Sequence, residues 1–66
     1  MRICYKRLWK LLIDRDIRKK DLATMAGIST SSITKLTNNE NVTTDVLLKI
    51  CCALNCDISD ILEIIR

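Results

Sequence analysis

Sixty-six residues with no Pro, no Phe, no His and one Gly suit a single small domain of helices joined by short turns. No run of about 18 apolar residues exists, so no segment is expected to span a membrane, and the opening Met-Arg-Ile-Cys-Tyr-Lys-Arg leads into a charged amphipathic stretch instead of a signal region; the expected location is the cytoplasm. The net charge of +3 is unevenly spread: residues 1–38 hold nine Lys/Arg against three Asp/Glu, and residues 39–66 hold two against five, so the first half is the side expected to face a polyanion.

The first predicted helix runs from about Tyr5 to Arg15, with Leu8, Leu11 and Leu12 at i, i+3, i+4 and Tyr5 one turn earlier. Trp9 and Ile13 widen this stripe beyond one core face; they either pack under the chain termini or meet another subunit. The second helix, residues 19–26, buries Leu22, Ala23 and Ala26 and ends at Gly27, which takes a left-handed conformation without steric penalty. Ile28 then enters the core and Ser29 caps the third helix, residues 30–37. Only Ile33 and Leu36 give that helix a buried face. Thr30, Ser31, Ser32, Thr34 and Lys35 fill the rest, although Ser and Thr compete with the helix for backbone hydrogen bonds. A stretch that accepts this cost has another use for its hydroxyls.

Asn38-Asn39-Glu40-Asn41 reads as a turn in which Asn supplies positive φ. Thr43 or Thr44 caps a fourth helix, residues 44–54, with Asp45 favourable at its positive end and Val46, Leu47, Ile50, Cys51 and Leu54 as its apolar face. Asn55 takes a left-handed exit and Cys56 turns inward. Asp57 is expected to cap a fifth helix over residues 58–65, burying Ile58, Ile61, Leu62 and Ile65. Ile64, Ile65 and Trp9 are either remaining core or a dimer patch. The whole, residues 1–66, is expected to be one all-α domain of five helices.

Four cysteines in a short chain raise the thought of disulfides or zinc. The N-terminus offers no secretory context for disulfides, and there is no His and no CxxC pair. Cys51 and Cys56 are therefore read as small core fillers, with no metal or cofactor expected. The roles of Cys4 and Cys52 are open.

The informative constellation is Leu22-Ala23, Gly27-Ile28, Ile33 and Leu36. A small Ala23 allows a close helix crossing, Gly27 makes the sharp turn, and Ile33 with Leu36 hold the next helix down so that its outer face projects. The stretches KKDLATMAGISTSSITKLTNNE and TTDVLLKICCALNCDISDIL, together with YKRLWKLLID, make the chain resemble the lambda repressor/Cro-type helix-turn-helix family of prokaryotic regulators, the xenobiotic-response-element family. The resemblance spans Tyr5 to Ile64. It implies a lambda-repressor-like DNA-binding fold with the helix-turn-helix at helices 2 and 3, and helix 3 in the major groove of double-stranded DNA.

Carried over position by position, the likeness assigns DNA contact to Lys19 with Arg18 before it and Lys20 beside it. It assigns base-edge reading to Thr30 and Ser31, groove-facing places to Thr34 and Lys35, and phosphate contact to Asn38; Ser32, on the same polar helix, is a further candidate for DNA contact. Lys donates to phosphate or guanine, Thr and Ser serve either base type, and a Thr methyl packs on thymine. Such short side chains leave much of the specificity to backbone contacts and DNA shape. The chain departs from the family where an Arg late in helix 1 and a Glu late in helix 3 commonly pair: here stand Leu12 and Thr37. Losing both partners together can be neutral or stabilising. Arg18 replaces the usual Ser/Thr cap, Asn39 the usual Gly, and Val42 a frequent Pro.

The expected function is sequence-specific DNA binding as a regulator, a repressor by preference, acting as a homodimer on a palindrome with half-sites about 34 Å apart. The alternative is a protein-interaction module on the same fold, such as an antitoxin-like or anti-repressor partner. An enzyme is not expected, since there are no paired carboxylates in a plausible cleft and no Gly-rich phosphate loop.

Overall fold

Arg2–Cys4 form a short strand β1, and four helices follow: α1 (Lys6–Asp14), α2 (Lys19–Ala26), α3 (Thr30–Thr37) and α4 (Thr44–Leu54). A single 3-10 turn at Ile58–Asp60 then leads to a second strand, β2 (Glu63–Ile65). This is the arrangement in a computed structural model that describes all residues, 1–66. The fold is mostly helical.

The starts of α2, α3 and α4 are set by side chains that satisfy free amides. Ser29 accepts the Ser32 N–H at 3.3 Å to begin α3, and Thr43 accepts the Val46 N–H at 3.3 Å to begin α4. At α2 the cap position holds Arg18, which has no suitable oxygen. The reverse bond serves instead: the Arg18 main-chain N–H donates to the Asp21 carboxylate at 3.4 Å. Asp21 also places negative charge at the positive end of the helix.

Helix ends share one device. Asp16, Gly27, Asn39 and Asn55, one after each of α1 to α4, all have positive φ, at 57°, 68°, 57° and 52°. The residue following each donates its N–H back across the last turn: Ile17 to Leu12, Ile28 to Ala23, Glu40 to Lys35 and Cys56 to Cys51, at 2.8–3.0 Å. This is the Schellman closure, which turns the chain sharply and aims the next side chain inward. Ile17, Ile28 and Cys56 accordingly pack against the core.

The core itself is Tyr5, Leu8, Leu12, Leu22, Leu36, Ile50, Leu54 and Ile61, drawn from every helix, from the residue before α1 and from the residue after the 3-10 turn. Leu36 alone is fully buried from α3, with Ile33 partly so. α2 packs against both α3 and α4. Cys51 and Cys56 pack against this core as half-buried free thiols, while Cys52 is exposed and Cys4 lies half-buried on β1. Burial pushes both inner thiols above their ordinary pKa.

The fifth helix expected over residues 58–65 is not formed. Only one 3-10 turn is made, and the chain then extends so that β2 pairs antiparallel with β1: Arg2 opposite Ile65, Ile3 opposite Ile64, Cys4 opposite Glu63. The i, i+3, i+4, i+7 spacing of Ile58, Ile61, Leu62 and Ile65 matches a helix. The β-branched Ile residues nevertheless favour an extended chain wherever a partner strand exists. Ile61 is fully buried and Leu62 partly, whereas Ile58 and Ile64 are exposed. Arg7 pins this segment to α1, donating to the Ser59 carbonyl at 3.0 Å and pairing with Glu63 at 3.5 Å. Arg15 likewise donates to the Leu54 carbonyl.

Candidate nucleic-acid interface

α3 is short and held from one side. At about 100° per residue, Leu36 and Ile33 mark the inner face, Ser31, Thr34 and Lys35 lie opposite, and Ser32 and Thr37 fall at the flanks. The burial pattern follows this wheel: Thr30, Ser31, Thr34, Lys35 and Thr37 are exposed and Ser32 is half-buried. The hydroxyls are partly committed to the helix. Ser29 Oγ lies 3.0 Å from Ser31 Oγ and 3.2 Å from Ser32 Oγ, while Thr34 Oγ1 donates to the Thr30 carbonyl at 3.1 Å. A Thr34 hydroxyl that has given away its proton offers an external ligand only acceptor lone pairs and a methyl group.

The basic residues sit at the entrance to α2 and on α3. Arg18, Lys19, Lys20 and Lys35 are all exposed, and none of them is in an ion pair. The two ion pairs of the molecule lie elsewhere, at Arg7–Glu63 and Asp45–Lys49. Lys20 spends no side-chain atom on the protein, whereas its carbonyl accepts from Thr24 Oγ1 at 3.3 Å. Asn38, just past α3, donates to the Glu40 carboxylate at 3.3 Å.

Lys19 is differently placed. Its ammonium donates to Thr37 Oγ1 at 3.1 Å and stands 4.3 Å from the centroid of the Trp9 ring. The sequence marks Trp9 as a wide edge of α1, either core or a dimer patch, and Thr37 as half of a missing charge pair. The structure brings them together around Lys19. A helical wheel of any one segment could not have shown this, because the three residues belong to three helices.

The end of α3 is fixed by Tyr5, whose N–H donates to Asn39 Oδ1 and whose hydroxyl donates to the Glu40 carbonyl, both at 3.0 Å. Leu12 is fully inside the core, where the family pattern has a charged residue, and Thr37 is on the surface. The largest depression in the surface is an open groove of mixed charge lined by Arg7, Lys10, Asp14, Arg15, Asn55 and Asp60, without any residue of α2 or α3. No group of three or more His, Cys, Asp or Glu is placed to hold a metal ion, and no helix is long and apolar enough to cross a membrane.

Two helices joined by a left-handed Gly27, the second capped by Ser29 and presenting a polar, cation-flanked face, make a helix-turn-helix. Residues 7–66 match the family model of the Cro/C1-type HTH DNA-binding domain. The chain belongs to the Cro/C1-type helix-turn-helix family. This family is a DNA-binding one and not a class of enzymes. Among solved structures, the Cro/C1-type chain is similar to one described as the transcriptional regulator VanUg, Form II, at 55% identity and a TM-score of 0.90. That likeness covers 94% of this chain and 83% of the other. No curated protein sequence matches.

Proposed function

We propose that residues 1–66 act as one DNA-binding domain of a prokaryotic transcriptional regulator, a repressor working in the cytoplasm, which binds a palindromic operator as a homodimer with α3 in the major groove. The observation that carries this reading is the outer face of α3, with Thr30, Ser31, Thr34 and Lys35 exposed, together with the exposed, unpaired cations Arg18, Lys19 and Lys20 at the start of α2, of which Lys19 reaches α3 at Thr37. The family match and the similarity to a transcriptional regulator support it.

In this reading Arg18, Lys19, Lys20 and Asn38 grip phosphates and set the register of α3, while Thr30, Ser31, Ser32, Thr34 and Lys35 meet base edges. Thr34, as an acceptor with a methyl, favours the exocyclic amine of adenine or cytosine, or the methyl of thymine. Lys35 supplies the strongest donor on the face and suits guanine O6 and N7. One α3 with such short side chains reads few bases. A dimer that fixes two half-sites about 34 Å apart multiplies that information.

The test is selection of bound duplexes from a random pool, followed by titration of the recovered site over a range of salt. The expected site has two inverted halves, and log affinity falls linearly with log salt at about −0.9 per phosphate contact. Lys35→Ala weakens binding to the selected site. Absence of any binding at low salt, with Lys35→Ala behaving as the unaltered chain does, sinks the proposal.

A further inference from the structure

Lys19 is the one cation of the candidate interface whose position is set by other side chains. Its ammonium is held by the ring of Trp9 from α1 and by the hydroxyl of Thr37 from α3. We propose that Trp9 is a positioning residue for DNA binding, holding Lys19 with Thr37 as a ready-made grip for one backbone phosphate. This rests on the DNA-binding reading above.

The donor count supports it. A Lys ammonium has three N–H groups. One is given to Thr37 Oγ1, and the ring face attracts the charge at 4.3 Å without consuming an oxygen acceptor. Thr37 cannot reverse its role, because its own O–H donates to the Ile33 carbonyl at 2.9 Å. No carboxylate pairs with Lys19, so a phosphate would have no salt bridge to displace. A free Lys loses much rotamer freedom when it grips a phosphate. Here the two contacts already restrict that freedom in the folded protein, which is the general route by which preorganisation raises affinity. The arrangement also fills the place of the charge pair that Leu12 and Thr37 lack: Thr37 still joins α3 to a cation, but the cation comes from α2 and stays at the surface.

A purely structural staple between α1 and α2 would show the same contacts, and a double-mutant cycle separates the two. Affinity for a short mixed-sequence DNA duplex is measured over a range of salt for the unaltered chain, Trp9→Leu, Trp9→Phe, Lys19→Met and the double variant Trp9→Leu/Lys19→Met. Circular dichroism verifies folding. Lys19→Met is expected to reduce the salt slope by about 0.9, the loss of one phosphate contact. Trp9→Leu weakens binding roughly two- to fivefold, the range of an exposed cation–π contact, and Trp9→Phe restores most of that loss. In the Lys19→Met background, Trp9→Leu has no further effect. The same loss in both backgrounds overturns the proposal.

Should Trp9→Leu fail to fold, emission of the chain's only Trp decides. It shifts on saturation with duplex in the unaltered chain and not in Lys19→Met; an identical response in both overturns the proposal. Additive losses in a chain that binds DNA refute the positioning role alone. A chain that binds no duplex at low salt refutes both it and the DNA reading.

Discussion

The side-chain oxygen of Asn39 accepts the main-chain N–H of Tyr5 at 3.0 Å, across 34 residues of sequence. One residue therefore does two jobs: it ends α3 with φ at 57° and ties that end to the start of α1. Asn39→Ala removes the acceptor and puts a Cβ without local compensation in the left-handed region. The expected loss is about 1.5–2.5 kcal/mol, the sum of a hydrogen bond and a left-handed penalty. Asn39→Gly relieves the backbone while losing the bond, so it stays within about 1 kcal/mol of the unaltered chain. Urea unfolding with an unchanged m value checks both, and equal losses would contradict this account.

Asp16 has the same backbone conformation, with no side-chain hydrogen bond to retain. Asp16→Gly is expected to raise stability by a few tenths to about 1 kcal/mol, because only the strain is removed. The thermal midpoint checks it. A lower midpoint would mean that the carboxylate has an unrecognised partner.

Leu12 is 2% exposed and fills the core where the family pattern carries an Arg. Leu12→Arg alone buries an unpaired charge, costing about 3–5 kcal/mol, which is comparable to the whole stability of so small a domain. Thr37→Glu alone falls on an exposed position beside Lys19 and changes stability by less than about 1 kcal/mol. The double variant recovers at least about 1 kcal/mol of the loss caused by Leu12→Arg if the paired arrangement can be rebuilt on this backbone. Chemical denaturation of the three variants measures the coupling directly.

Burial raises the pKa of Cys51, assisted by the neighbouring Cys56 and by Asp57 and Asp60. Burial also raises that of Cys56, against the lowering effects of the neighbouring Cys51 and of Arg15. The folded chain thus holds these protons more tightly than the unfolded chain does. Their contribution to stability is complete below the ordinary thiol value of 9.0 and is lost as pH climbs through the raised values. Under reducing conditions, this part of the stability is expected to fall as pH rises above about 9, and the Cys51→Ala/Cys56→Ala variant to fall less over the same window. Tyr5 is raised by burial from 10.0 and adds its own loss only at higher pH. Parallel curves for the two proteins would rule the thiols out.

Much of the helix-turn-helix was legible because its signals are local. Gly27 marks a left-handed turn, Ser29 marks a cap, and Ile33 with Leu36 mark one face of a helix, each from a few neighbouring letters. The residues expected to meet DNA could be placed on α2, on α3 and at their caps Arg18 and Asn38 for the same reason. What escaped was one local turn with a weak signal and two non-local features. Asp16 gave no turn signal, since Asp is rarer than Gly or Asn in that role. The strand Glu63–Ile65 exists because Arg2–Cys4 lies beside it, and three-residue strands carry too little pattern to distinguish from the end of an amphipathic helix. The Trp9–Lys19–Thr37 cluster joins three helices and becomes visible only when they are packed.

The ribbon of β1 and β2 has a mechanical consequence. Because Arg2 lies opposite Ile65, any polypeptide attached at either end leaves the domain from the same pole. Tension between those attachments loads the antiparallel hydrogen bonds one after another, as in a zip, and the outermost pair gives first. Only when all three pairs have parted does the pull reach Tyr5 and Ile61, the first core residues inward from each end. The four helices are thus shielded from small forces by a short ribbon at one end of the fold.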